Sequence, residues 1–270
     1  MKHLLLQTGF TFLSCILFAQ KAETLFYKGV EAAAANHYLQ AIELFSKAIE
    51  LDGQLQQAWY NRGLAKSNIG DFGGAIADYS KSIELDSLFA LAWLNRGADK
   101  KELNDHQGAI NDYSKAILIN PHYALAFYNR GVIYYKQANY IKALDDFSTA
   151  TLKDSVMKHA WFNKGMTEMR LGKYEEAIRD INVSIRQDPN YFKAYKYRAV
   201  VFIKLGLYNK ALSDLNFSAS LMASDCETFF WLGLLNQHMQ KEKEAEKYFV
   251  KAQLMGCHGL QETEWLLVKN

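Results

Sequence analysis

Asparagine recurs at intervals of 34 residues in this chain, at Asn61, Asn95, Asn129 and Asn163. A primary amide carries both a donor and an acceptor. A row of them on one surface can therefore pair with the N–H and C=O groups of an extended chain, whatever the side chains of that chain are. Local bonding to the neighbouring backbone is the competing use of the same side chain. Tyr60, Tyr128 and Phe162 precede three of these amides and would add contact area at low entropic cost. A base follows each asparagine, at Arg62, Arg96, Arg130 and Lys164, and Arg198 stands one interval further on. An acid lies sixteen residues after each base, at Asp78, Asp112, Asp146, Asp180 and Asp214. Pairing within one interval leaves no partner over, whereas pairing each acid with the following base strands Arg62 and Asp214. These pairs read as structural, because a partly buried pair that loses one partner leaves a desolvated charge behind.

No catalytic constellation accompanies them. His37, His106, His122, His159, His238 and His258 fall in different intervals without the short ligand spacing of a zinc site. There is no phosphate-binding loop, no nucleophile elbow and no dinucleotide fingerprint. The chain is expected to be no enzyme and to need no cofactor or metal. Its 31 Lys and Arg against 29 Asp and Glu leave a net charge of +2, which gives no electrostatic footprint for nucleic acid. Cys226 and Cys257 stand near the start and the end of the last interval. Either they are close enough to bond in an oxidising compartment, or they remain two separate thiols.

The elements that carry these residues follow from the same period. Half of the residues are hydrophobic and only 2 of 270 are proline, which argues for long helices rather than for strands joined by many tight turns. Rows of 34 residues starting at Ala22 align Gly29, Gly63, Gly97, Gly131, Gly165 and Gly233, with Ala199 in the remaining row. Twelve residues later come Ala41, Ala75, Ala109, Ala143, Ala177, Ala211 and Ala245. Large side chains stand four residues before each glycine and four after each alanine, as with Trp93 and Tyr113. Each row thus encodes two amphipathic helices whose small residues let them approach closely. Gly70, Gly172 and Gly206 mark breaks within rows, and both prolines, Pro121 and Pro189, fall at the same position between rows.

This pattern resembles the tetratricopeptide repeat family, over about nine-tenths of the chain. The resemblance implies an all-α fold, a right-handed superhelix of antiparallel helix hairpins. Its seven repeats would run over 22–55, 56–89, 90–123, 124–157, 158–191, 192–225 and 226–259, stacked as one array. It also implies that the first helix of each repeat lines a concave groove with its positions two, five, six, nine, twelve and thirteen. The asparagines at position six then resemble the ladder with which some relatives hold a peptide backbone. Lys101, Lys136, Arg170 and Lys204, at positions twelve or thirteen, would favour an acidic ligand. No row pairs lysine at position five with asparagine at position nine, the combination with which one subclass reads chaperone tails.

The chain opens with a basic Lys2, a mostly apolar stretch from Leu4 to Phe18 and Ala19-Gln20, which reads as a secretory signal peptide over 1–20. A lipoprotein anchored through Cys15 and an uncleaved N-terminal anchor are the alternatives. Row seven departs from the pattern after Gln240, where Lys241-Glu242-Lys243-Glu244 replaces the usual break and gives a more polar outer surface, and the tail over 260–270 offers Trp265 and Leu266 to cover its end. The expected protein is an exported scaffold of the periplasm or cell envelope that holds a peptide segment of another protein, with no membrane span after signal removal and possible self-association. The alternatives are an assembly factor that docks through convex or terminal surfaces, and a regulatory subunit of a separate enzyme.

Overall fold

The computed structural model describes residues 19–257. Nearly all of the expected leader, with Cys15, lies outside the described residues, as does the tail with Trp265 and Leu266. Every regular element among the described residues is a helix. Residues 19–34 form α1. There follow α2 (Tyr38–Leu51), α3 (Gln56–Asn68), α4 (Phe72–Leu85), α5 (Ala90–Glu102), α6 (His106–Ile119) and α7 (Ala124–Lys136). The chain continues with α8 (Tyr140–Lys153), α9 (Lys158–Arg170), α10 (Tyr174–Gln187), α11 (Phe192–Lys204), α12 (Tyr208–Leu221), α13 (Cys226–His238) and α14 (Glu242–Leu254). Odd-numbered helices open the 34-residue rows and even-numbered helices close them.

One turn serves inside every row. The fifteenth residue takes a left-handed conformation in all seven: Asn36, Gly70, Asn104, Ala138, Gly172, Gly206 and Gln240, with φ between 56° and 83°. Glycine adopts this conformation freely and asparagine tolerates it, whereas Ala138 and Gln240 each carry a Cβ penalty of about 1 kcal/mol. The expected break at the glycines is therefore a general one, and the departure of row seven changes the residue but not the turn. The second helix then starts with a side-chain cap in several rows. Asp71 accepts the N–H of Gly74 and Asp105 that of Gly108, both at 2.9 Å.

A second recurrent turn joins the rows. The side chains of Asp52, Asp86, Asn120, Asp154 and Asp188 each accept the backbone N–H two residues on, at 2.9 to 3.1 Å. The indole N–H groups of Trp59, Trp93 and Trp161 and the hydroxyl of Tyr195 then donate to loop carbonyls six residues earlier. A large side chain with a polar tip at this position both packs and satisfies an otherwise open carbonyl.

Close approach of the two helices in a row depends on the glycine. A Cβ built on Gly97 would lie 2.9 Å from Cε1 of Tyr113, and one on Gly63 would lie 2.8 Å from the same atom of Tyr79. Both rings are fully buried. Row six carries the smaller Leu215 in place of the ring, and there the glycine is replaced by Ala199. Buried small residues recur at two further positions that the spacing of glycine and alanine does not single out, for example Ala92 and Ala116 in row three.

The contacts divide the described residues into two compact units that meet between Arg130 and Gly131 in the sequence. In the first, α2 packs on α3, α3 on α4, α4 on α5 and α5 on α6. In the second, each helix from α8 to α13 packs on its successor, and α9, α11 and α13 also touch in turn. Apolar burial follows this chain of neighbours, with one cluster around Phe45 and Ala48 and another running from Phe162 to Ala252.

Candidate functional site

The expected ion pairs occupy the interior of each unit. Arg62 holds Asp78 through Nε and Nη2, at 2.8 and 2.7 Å, and Arg96 holds Asp112 the same way at 2.8 Å. Lys164 lies 2.9 Å from Asp180, and Arg198 reaches Asp214 at 2.7 Å. Asp146 is buried, and Arg130 donates to Ser114 at 2.9 Å. The arginines also bind backward. Nη1 of Arg62, Arg96 and Arg130 donates to Ser46, Ser80 and Ser114 of the preceding row, and Nη1 of Arg198 donates to Asn182. A planar fork with separate donors suits this double task better than a single ammonium. Sequence reasoning missed the second cation on two acids: Lys66 and Lys100 bind Asp78 and Asp112 at 2.8 Å. Their shared position eleven was the available signal.

In row five that position holds Glu168 instead, buried beside Asp180. Burial, and next the Asp180 charge, push its carboxyl up to about 8, against a partial offset from Lys164. The protonated acid is therefore favoured in the folded chain more than in the unfolded one. Its contribution is fully present below the ordinary value of 4.5 and is lost as pH rises through about 8. We expect Glu168→Gln to raise thermal stability at pH 9 by at least about 1 kcal/mol more than at pH 5. Melting curves at the two pH values check this, and an equal gain at both would contradict it. Asp99 in the first unit has the same sign: burial raises it to about 6, although the Ser67 hydroxyl donates to it at 2.8 Å.

The asparagines do not form one uniform ladder. Asn61 donates to the carbonyl of Gln57 in its own helix, and Asn95 donates to the hydroxyl of Tyr60, each at 2.8 Å. Tyr60 packs edge-on against Phe89 at 4.8 Å, and burial pushes its hydroxyl above the usual range. Asn129 and Tyr128 are half-buried on α7. Phe162 is only 7% exposed, and its ring meets Tyr191 and Tyr197 edge-on at 5.1 and 5.8 Å. It therefore serves the core as well as the surface.

The second unit gathers the first-helix positions into a recess of about 240 Å³. Tyr135, Phe162, Met166 and Tyr197 give it apolar walls, and Asn163 and the exposed Lys193 supply polar groups. At one side stands Lys196, 2% exposed, with its ammonium 3.1 Å from Asp225 and bonded to Glu227. The Tyr197 hydroxyl donates to Glu227 at 3.1 Å, and Arg170 donates to the hydroxyl of Tyr135 at 3.3 Å. Among the described residues no group of His, Cys, Asp and Glu could hold a metal ion, and no helix is long and apolar enough to cross a membrane. Cys226 and Cys257 are joined in a disulfide, with Cα atoms 5.8 Å apart.

Three family models match within the chain. One described as TPR repeat covers residues 100–137, and two described as tetratricopeptide repeat cover 56–87 and 159–191. The chain carries tetratricopeptide repeats. A curated relative is an uncharacterized protein of Methanocaldococcus jannaschii, 40% identical over 53 residues, which are 20% of this chain and 62% of that protein. Among solved structures, a tetratricopeptide repeat protein from Parabacteroides merdae is 22% identical, with a TM-score of 0.66 over 92% of this chain and 98% of that one. YrrB, described as a TPR protein with an unusual peptide-binding site, is 24% identical, with a TM-score of 0.61 over 73% and 97%. The C-terminal part of a TPR repeat-containing protein from Cytophaga hutchinsonii reaches 0.70 at 13% identity, over 89% and 99%. At these identities the likeness is one of fold. The tetratricopeptide repeats explain why the recess is lined from positions two, five, six, nine and twelve: these are the faces that successive first helices present together.

Proposed function

We propose that the chain is a non-enzymatic scaffold that binds an extended segment of another protein along the first-helix face of its second unit. The observation that carries this reading is the recess on α9 and α11, where aromatic walls, one amide and an exposed lysine converge. Its volume of about 240 Å³ is below the usual range for whole small-molecule ligands, and suits one large apolar side chain of a longer peptide. Asn163 lines it, and its amide would pair with the peptide backbone. Lys193 at the rim favours an acidic neighbour in the peptide. The peptide-binding site named for YrrB, a protein of similar fold, is consistent with this use.

Selection of a displayed random peptide library on the full chain tests the reading. Recovered peptides should carry a bulky apolar residue. Tyr197→Ala should weaken them by about tenfold or more, as truncating an aromatic anchor does, while Asn95→Ala leaves them unaffected. Affinity unchanged by Tyr197→Ala would contradict the reading and would move docking elsewhere, for instance to the exposed Leu152 and Val156.

We infer further that the protein works outside the reducing cytoplasm, in the periplasm or cell envelope. The apolar, basic-led start of the sequence and the Cys226–Cys257 disulfide both support export, since such bonds persist in oxidising compartments.

A further inference from the structure

Cys226 lies between the two acids that hold the wall of the recess. Asp225 caps the start of α13, where it accepts the backbone N–H of Thr228 at 3.2 Å, and its carboxylate also binds Lys196. Glu227, one residue beyond the cysteine, binds Lys196 and accepts the Tyr197 hydroxyl. The position of this first turn of α13 therefore determines whether the Lys196 ammonium stays buried and paired. The other half of the bond is Cys257, just past the end of α14. Of the thirteen residues of that helix only Ala245 and Ala252 are fully buried; the half-buried Tyr248 and Phe249 pack against Phe229 and Phe230, while the acidic first turn and Leu254 are exposed. The disulfide closes a loop with a sequence separation of 31, which ties the start of α13 to the end of the helix that packs on it.

We propose that the Cys226–Cys257 disulfide is a redox-sensitive fastener of the recess, holding Asp225 and Glu227 on Lys196 and releasing them when it is reduced. Reduction is a thiol–disulfide exchange with an external dithiol. The dithiol supplies two electrons and two protons, closes to its own disulfide and leaves thiols at Cys226 and Cys257. Without the link, the start of α13 and the end of α14 open together more often, because the covalent constraint that closes the last row is gone and packing alone holds it. Lys196 then loses its carboxylates, and the wall shared by Tyr197 and Glu227 loosens. The functional consequence, loss of peptide capture under reducing conditions, rests on the reading of the recess as the peptide site. The structural claim does not.

Residue-resolved acetylation of lysines with an N-hydroxysuccinimide ester, followed by mass spectrometry, tests the fastener without any peptide. The full chain is labelled in three forms: oxidised, reduced with dithiothreitol and capped with iodoacetamide, and as the Cys226→Ser, Cys257→Ser double variant. In the oxidised chain Lys196 should react far more slowly than the exposed Lys193. In the other two forms its rate should rise on the order of tenfold or more, as loss of a loop-closing bond implies. Lys66 and Lys100, paired in the first unit, should stay protected in all three and so exclude general unfolding. A Lys196 rate that is the same in all three forms, or that rises only together with Lys66 and Lys100, overturns the proposal. The library-selected peptides are assayed in parallel, and their affinity should fall on reduction. Failure of the oxidised chain to bind any peptide through Tyr197 would overturn the reading of the recess and leave the fastener standing.

Discussion

Asp112→Ala should destabilise the chain by about 3–5 kcal/mol, the range for removing one partner from a buried charge cluster. Asp112 is almost fully buried and accepts three charged contacts, two from Arg96 and one from Lys100. Its loss leaves two cations facing each other with no anion between them. Arg96→Ala should cost less, although it also severs the bond to Ser80 in the preceding row, because Lys100 still neutralises the acid. The asymmetry is the informative part. Denaturant titrations of the two variants measure it, and equal losses would mean that the acid is not the hub of the cluster.

The second large effect is steric. Gly97→Leu should cost at least about 2–3 kcal/mol through overpacking, because even the first atom of a side chain there meets the Tyr113 ring at 2.9 Å. Gly97→Ala should cost less, and its cost should shrink further when Tyr113 is replaced by leucine. Row six already shows that combination, with Ala199 facing Leu215. A double-mutant cycle over Gly97→Ala and Tyr113→Leu isolates the coupling. A coupling near zero would separate the glycine from the ring, and the close pairing of the two helices would then need another cause.

Much of this was legible because it repeats. The glycine at position eight, the alanine at position twenty and the large side chains that flank them define paired helices, and the acid sixteen residues after each base predicts who pairs with whom. What escaped the sequence has two physical causes. Left-handed residues such as Ala138 and Gln240 do not announce themselves, since an ordinary side chain can be forced into that turn at a cost of about 1 kcal/mol when its neighbours demand it. The recess depends on departures from the period: Lys196 and Tyr197 stand where rows two to five carry an aromatic or leucine and then asparagine, and Glu227 meets them from the next row. Reading by period averages such departures away. Nor does the period tell that Asn61 and Asn95 each donate one hydrogen bond inside the chain. The approach of Cys226 to Cys257 was an open alternative until the last helix pair placed their Cα atoms 5.8 Å apart.

The central claim is that the first-helix face of the second unit receives a peptide. A photoreactive amino acid placed at position 193, on the rim of the recess, and in a second protein at position 210, on α12 and outside it, reads this directly when each is irradiated with a library-selected peptide. The account predicts covalent adducts from position 193, mapped by mass spectrometry next to the bulky residue of the peptide, and none from position 210. Adducts from 210 without any from 193 would contradict it.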